Sequence, residues 1–138
     1  MNIDSIQNGI VIDHIPAGRG MQLYDLLHLA ALDCAVALIK NAHSNKSGKK
    51  DIIKIDADVD VDLDVIGYLA PDAKINIIRG GELIEKRAAT LPETLTNVIR
   101  CKNPRCITAA EQELDQVFKL TDRANATYRC IYCETKAH

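Results

Sequence analysis

The chain has 138 residues, 47% hydrophobic and 26% charged, an ordinary folding composition with length for one domain or two small ones. Its net charge of -2 gives no overall basic field, so any nucleic-acid contact would have to come from local patches. No apolar run approaches the roughly 18 residues of a membrane span. The opening Met1-Asn2-Ile3-Asp4 also lacks the charged and apolar regions of a signal peptide, so a cytoplasmic protein without a membrane partner is expected. Five cysteines in that compartment are not expected to form structural disulfides, and a grouped set points to metal first.

A first strand is expected at Gly9 to Ile15, followed by a turn at Pro16-Ala17-Gly18-Arg19-Gly20. The next segment predicts a helix, because Leu23, Leu26, Leu27, Ala30 and Ala31 keep one apolar stripe at helical spacing. Cys34 to Ile39 reads as a strand, the polar stretch His43 to Gly48 as a flexible connection, and Asp51 to Ile55 as another strand. A second helix is expected near Asp62 to Ala70, with Leu63, Ile66, Gly67 and Ala70 at helical spacing. It should stop at Pro71, which disfavours helical geometry in the residue before it. Ala73 to Ile78 and Glu82 to Arg87 then form a hairpin around Gly80-Gly81.

This order predicts the split β-α-β arrangement of ferredoxin-like domains, with the first strand between the third and the fourth. Helices cover one sheet face, and side-chain parity assigns the other. Val11, Asp13, Ile52, Lys54, Asn76, Ile78 and Lys86 are expected on the uncovered face. Such a set suits an anionic ligand carrying a ribose: lysines for phosphate, an aspartate for a hydroxyl and strand backbone for a base edge.

The character changes around Ala88 to Pro92, and a cysteine-bearing segment of about 47 residues follows, a size that often needs a metal or a partner. Cys101-Lys102-Asn103-Pro104-Arg105-Cys106 and Cys130-Ile131-Tyr132-Cys133 supply two close pairs separated by 23 residues. Each pair can turn both sulfurs toward one point, completing a closed tetrahedral site for a structural zinc. Iron in a rubredoxin-like site is chemically possible, but nothing else in the chain supports redox work. Cys34, alone in an apolar run, reads as a small buried hydrophobe.

Other candidates read as structural. The acids Asp56, Asp58, Asp60, Asp62 and Asp64 lack the glycine and glutamate of a calcium loop and suit the start of a helix instead. Gly18-Arg19-Gly20 is placed to cradle phosphate, yet two glycines fall short of a phosphate-loop fingerprint. No nucleophile and base pair can be assigned, and His14 and His28 have no evident partner by sequence.

Val11-Ile12-Asp13-His14-Ile15-Pro16-Ala17, Lys50-Asp51-Ile52-Ile53-Lys54-Ile55, Leu91-Pro92-Glu93 and the two cysteine pairs together resemble the aspartate carbamoyltransferase regulatory chain. The resemblance implies an α+β, ferredoxin-like nucleotide-binding domain over residues 1–91 and a small all-β zinc-ribbon or rubredoxin-like domain over residues 92–138. It implies no catalytic residue, a homodimer through the nucleotide domain, and docking of the zinc domain on the catalytic chain. In that family, regulatory dimers bridge catalytic trimers in pyrimidine biosynthesis, and nucleotides such as CTP and ATP shift the assembly between activity states. Residue by residue, Asp13 and Lys54 resemble the ribose pair and Lys86 the main phosphate ligand. Val11, Asn76, Ile78 and Leu83 resemble the pocket wall, and Ile3, Asp4 and Ile6 a segment closing over the ligand. His14 and Lys50 resemble residues near the phosphates, and Cys101, Cys106, Cys130 and Cys133 the zinc ligands. Two departures are Gly80-Gly81, where relatives can carry a larger residue beside the base, and the five residues after Cys133, which suggest a shortened terminal strand.

Two further readings compete with this one. A zinc-ribbon nucleic-acid-binding protein would use Lys102, Arg105, Arg123 and Arg129 as its basic patch, and a metal-linked sensor would bind an amino acid but no nucleotide.

Overall fold

The computed structural model describes residues 6–137, and the chain divides into two units between Thr90 and Leu91. Ile3 and Asp4 lie outside the described residues.

The first unit contains β1 (Gly9–Pro16), α1 (Gly20–Leu26), β2 (Val36–Ser44), β3 (Gly48–Ile55), α2 (Leu63–Leu69), β4 (Lys74–Arg79) and β5 (Glu82–Ala88). Its five strands form one antiparallel sheet in the order β2-β3-β1-β4-β5, with β1 in the centre as the split arrangement requires. Strand alternation makes the core: Ile10, Ile12, Ile15, Ile53, Ile55 and Ile75 are buried together with Leu23 of α1 and Val65, Ile66 and Leu69 of α2. Asp62 caps α2 by accepting hydrogen bonds from Asp64 N (3.0 Å) and Val65 N (3.4 Å), which accounts for one of the alternating acids. Gly80 and Gly81, with φ of 60° and 78°, make the two-residue turn that matches strand twist between β4 and β5.

Four local expectations need correction. Helix α1 ends at Leu26 because His28 takes a left-handed conformation (φ 56°), and a single 3-10 turn, Leu29–Ala31, follows. That turn buries Leu29 and leaves Ala30 and Ala31 exposed, so the apolar stripe stops short. The stretch His43 to Gly48 is a tight turn over residues 45–47 and not a loose connection: β2 runs to Ser44, which pairs with Gly48 and accepts a hydrogen bond from Ser47 N (3.3 Å). Cys34 precedes β2 and is half-buried, and Leu63, at the first position of α2, is exposed.

Two bulges flank β3. In β1, Asp13 and His14 stand between the Ile12–Ile53 and Ile15–Asp51 pairs, and in β2, Lys40 and Asn41 stand between Ile39–Ile52 and Ala42–Lys50. His14 (φ 59°) and Asn41 (φ 60°) are both left-handed. The extra residue in β1 lets Ile12 and Ile15, three positions apart, both point into the core at 0% exposure.

The second unit holds β6 (Thr94–Thr96), a short helix α3 (Ile107–Ala110), β7 (Val117–Asp122) and β8 (Thr127–Cys130), with the strands ordered β6-β7-β8. Leu95 pairs with Phe118 and Phe118 with Cys130, so one row of the small sheet carries buried apolar side chains straight into a cysteine. Among the described residues after β8, strand geometry returns only as a bridge between Arg129 and Lys136.

Candidate metal centre and open sheet face

The four grouped cysteines converge. Cys101 and Cys133 sulfurs lie 3.5 Å apart, Cys106 and Cys130 sulfurs 3.7 Å apart, and all four lie within 4.8 Å of one another. A tetrahedral site with metal–sulfur bonds of about 2.3 Å has sulfur–sulfur edges of about 3.8 Å, so the cluster already has the size of a tetrathiolate site. Local hydrogen bonds shape both turns. Asn103 Oδ1 accepts from Arg105 N (3.0 Å) and Asn103 O from Cys106 N (3.1 Å), folding the first pair around Pro104. Glu134 N donates to Cys130 O (2.9 Å) and Cys130 N to Thr135 O (3.0 Å), closing the second.

The thiols are electrostatically unequal. Burial pushes Cys101 up to about 12 and raises Cys130, whereas Thr135 brings Cys133 down to about 6 and Thr108 lowers Cys106. Four sulfurs this close cannot all carry negative charge without a cation among them, which is the condition a bound divalent ion meets.

Two supporting residues escaped the sequence reading. Thr108 Oγ1 donates to Cys106 Sγ at 3.2 Å, and Thr135 Oγ1 lies 3.2 Å from Cys133 Sγ while accepting from Asn103 Nδ2 (3.3 Å). The signal was present: a threonine stands two residues after the second cysteine of each pair. Gln116 is a third support, its Oε1 accepting from Cys101 N (2.9 Å).

On the first unit the sheet face away from the helices carries the other predicted residues. Register places Ala37, Lys54, Val11, Asn76 and Lys86 opposite one another in a single row across all five strands. Lys54 and Lys86 are three strand spacings apart, about 14 Å. One step along, Gly9, Ile78 and Leu83 make the next row. Asn76 Oδ1 is buried and has no hydrogen-bond partner among the described residues, an acceptor in the middle of this face awaiting a donor. Ile6 is buried against Gly9, whose added Cβ would come 2.9 Å from Ile6 Cγ2.

Asp13 is ion-paired with Lys50. Its Oδ1 lies 2.9 Å from Lys50 Nζ and accepts from His14 N at 2.7 Å, and the His14 ring stands 3.9 Å from Oδ2. Burial alone would raise this carboxyl, but the Lys50 and His14 hydrogen bonds outweigh it and hold Asp13 below the ordinary range.

The Gly18-Arg19-Gly20 turn is not a phosphate cradle. Gly18 N (3.1 Å) and Gly20 N (2.9 Å) both donate to Asp51 Oδ2, and Asn41 N donates to Asp51 Oδ1 (3.0 Å), so the turn's donors are spent on a buried carboxylate. In the candidate basic patch of the second unit, Arg123 donates to Leu91 O (3.2 Å) and Arg129 to Glu134 O (3.0 Å), which ties both to their own backbone.

An antiparallel α+β unit with a lysine-bearing open face, followed by a small sheet closed around four cysteines, defines a class of two-part chains with a metal-binding second unit. Residues 1–90 match the family model described as aspartate carbamoyltransferase regulatory chain, allosteric domain, and residues 93–138 match the metal binding domain of the same chain. The chain belongs to the aspartate carbamoyltransferase regulatory chain family, and it is a regulatory chain, not a catalytic one. Similar proteins carrying that name include one from Bifidobacterium longum, 46% identical over 99% of both chains. Another from Clostridium botulinum is 48% identical over 97% of this chain and 92% of its own. A third from Clostridium tetani is 46% identical over 97% and 94%. No helix among the described residues is long and apolar enough to cross a membrane.

Proposed function

We propose that the open face of the first unit binds nucleoside triphosphates, CTP and ATP, and that the second unit holds one structural zinc ion and docks on an aspartate carbamoyltransferase catalytic chain. The chain thereby regulates an early step of de novo pyrimidine biosynthesis, as a homodimer paired through its nucleotide domain. The observation that carries the nucleotide reading is the single row Lys54–Val11–Asn76–Lys86, which sets two cations about 14 Å apart with an unpartnered acceptor between them. Lys86 meets phosphate, Lys54 and Asp13 meet the ribose end, and Val11, Ile78 and Leu83 offer apolar contact to the base. Ile6 borders the ligand, and His14 and Lys50 lie near the phosphates.

Four thiolates in a closed tetrahedron leave no position for water or substrate, which makes the metal structural, and zinc is favoured over iron because nothing else in the chain supports redox work. Ile107, Ile131 and Tyr132, all exposed and within or beside the two cysteine turns, supply an apolar contact for the catalytic chain.

A nucleotide acts at a distance only by favouring one assembly state over another, with typical couplings of about 1 to 3 kcal/mol. The test is the aspartate saturation curve of the catalytic chain alone, with this chain added, and with CTP or ATP present. A nucleotide-dependent displacement is expected; identical curves despite assembly would reduce the chain to a scaffold.

A further inference from the structure

We propose that Asp51 is a positioning residue for the open face: from the helix-covered side of β3 it holds the bulges on both neighbouring strands and so fixes the Asp13–Lys50 pair. This rests on the reading of the open face as a nucleotide site. The Asp51 side chain is 0% exposed, and its two oxygens take three backbone N–H groups from separate segments, Gly18 and Gly20 after β1 and Asn41 in the β2 bulge. Its own backbone pairs with Ile15, the first residue after the β1 bulge that contains Asp13 and His14. Lys50, the preceding residue, points to the opposite face because strand neighbours alternate, and there it meets Asp13 at 2.9 Å.

The arrangement needs an external hold. Both bulges include a non-glycine residue in left-handed geometry, a conformation that persists only when its surroundings enforce it. Relaxing the β1 bulge would change the parity of every later residue in that strand. The fit around Asp51 is close on the turn side too, since a Cβ on Gly20 would stand 2.7 Å from Asp51 Oδ2. One buried carboxylate thus links the turn before α1, the β2 edge strand and, through β3, the ion pair on the far face.

The experiment uses the full chain and the variants Asp51→Asn, Lys50→Ala, their combination and Gly20→Ala, with CTP and ATP titrations. Asp51→Asn is expected to weaken binding about tenfold by removing a charged acceptor from three donors. The combined variant should bind no worse than the weaker single variant, because both changes act through one pair; independent losses that multiply would overturn the proposal. Gly20→Ala, which displaces the carboxylate without removing it, should weaken binding in the same direction and serves if Asp51→Asn does not fold.

A second readout does not need nucleotide. Removing a nearby negative charge alone lowers the Asp13 carboxyl titration, whereas loosening Lys50 raises it. An upward movement in Asp51→Asn, followed by NMR, is expected, and no change or a downward one sinks the role of Asp51. Absence of nucleotide binding by the unaltered chain would instead overturn the nucleotide reading, leaving the NMR result to decide the positioning role by itself.

Discussion

Lys50 Nζ sits 2.9 Å from Asp13 Oδ1, an ion pair between neighbouring strands beside the bulge that displaces the β1 ladder. The pair keeps Asp13 ionised below the ordinary value of 3.8. A depressed folded-state carboxyl contributes stability that is present above its unfolded value and lost as pH falls through the folded one. Acid should therefore remove this contribution only below about pH 4, near the reference aspartate value. In Lys50→Ala the Asp13 carboxyl should titrate higher, as NMR would show. The loss of stability should stay under about 1 kcal/mol, because the pair is partly solvent-screened.

Lys86→Ala should weaken triphosphate binding about tenfold or more, the worth of one charge-assisted hydrogen bond. Calorimetric titration with CTP and ATP checks it, and the metal content should stay unchanged. Equal affinities in the variant and the unaltered chain would remove Lys86 from the site.

Cys130→Ser should abolish stoichiometric metal binding, since Cys130 is one of the four converging thiols proposed to hold the metal and the end of the Leu95–Phe118 row. Structural zinc is worth roughly 10 to 16 kcal/mol in small domains, more than their usual stability margin. Metal analysis should find less than one ion per chain, with the separate five-stranded sheet still folded by circular dichroism. Full metal occupancy in the variant would contradict the ligand assignment.

Thr108→Val and Thr135→Val should each retain the metal but release it more readily to a chelator, by about 10- to 100-fold in affinity, the usual effect of a lost supporting hydrogen bond. Competition with a chromophoric chelator measures this. No change in either variant would mean that the hydroxyls contribute nothing to the sulfurs.

Asp62→Ala should lower the stability of the first unit by about 1 kcal/mol, the ordinary effect of losing an N-cap. Thermal melting checks it; an unchanged midpoint would show that water replaces the cap without loss.

The sequence by itself determined what depends on local pattern. Alternating isoleucines placed Ile10, Ile12, Ile53 and Ile55 inward and Val11 and Lys54 outward, and Gly80-Gly81 marked a hairpin, because strand period and turn chemistry are written in neighbouring residues. The cysteine spacing likewise marked a metal site, since each pair closes its own turn. What only the tertiary structure decided depends on residues far apart in the chain. Nothing in Lys50-Asp51 shows that one side chain faces Asp13 and the other gathers the N–H groups of Gly18, Gly20 and Asn41. Both bulges arise from pairing with β3, and the arrest of α1 at His28 depends on where Leu29 finds the core, so no period in the sequence records them. Cross-strand register is a non-local choice, and it joined Lys54 to Lys86 in one row and gave Asp13 the lysine that spacing had not assigned it.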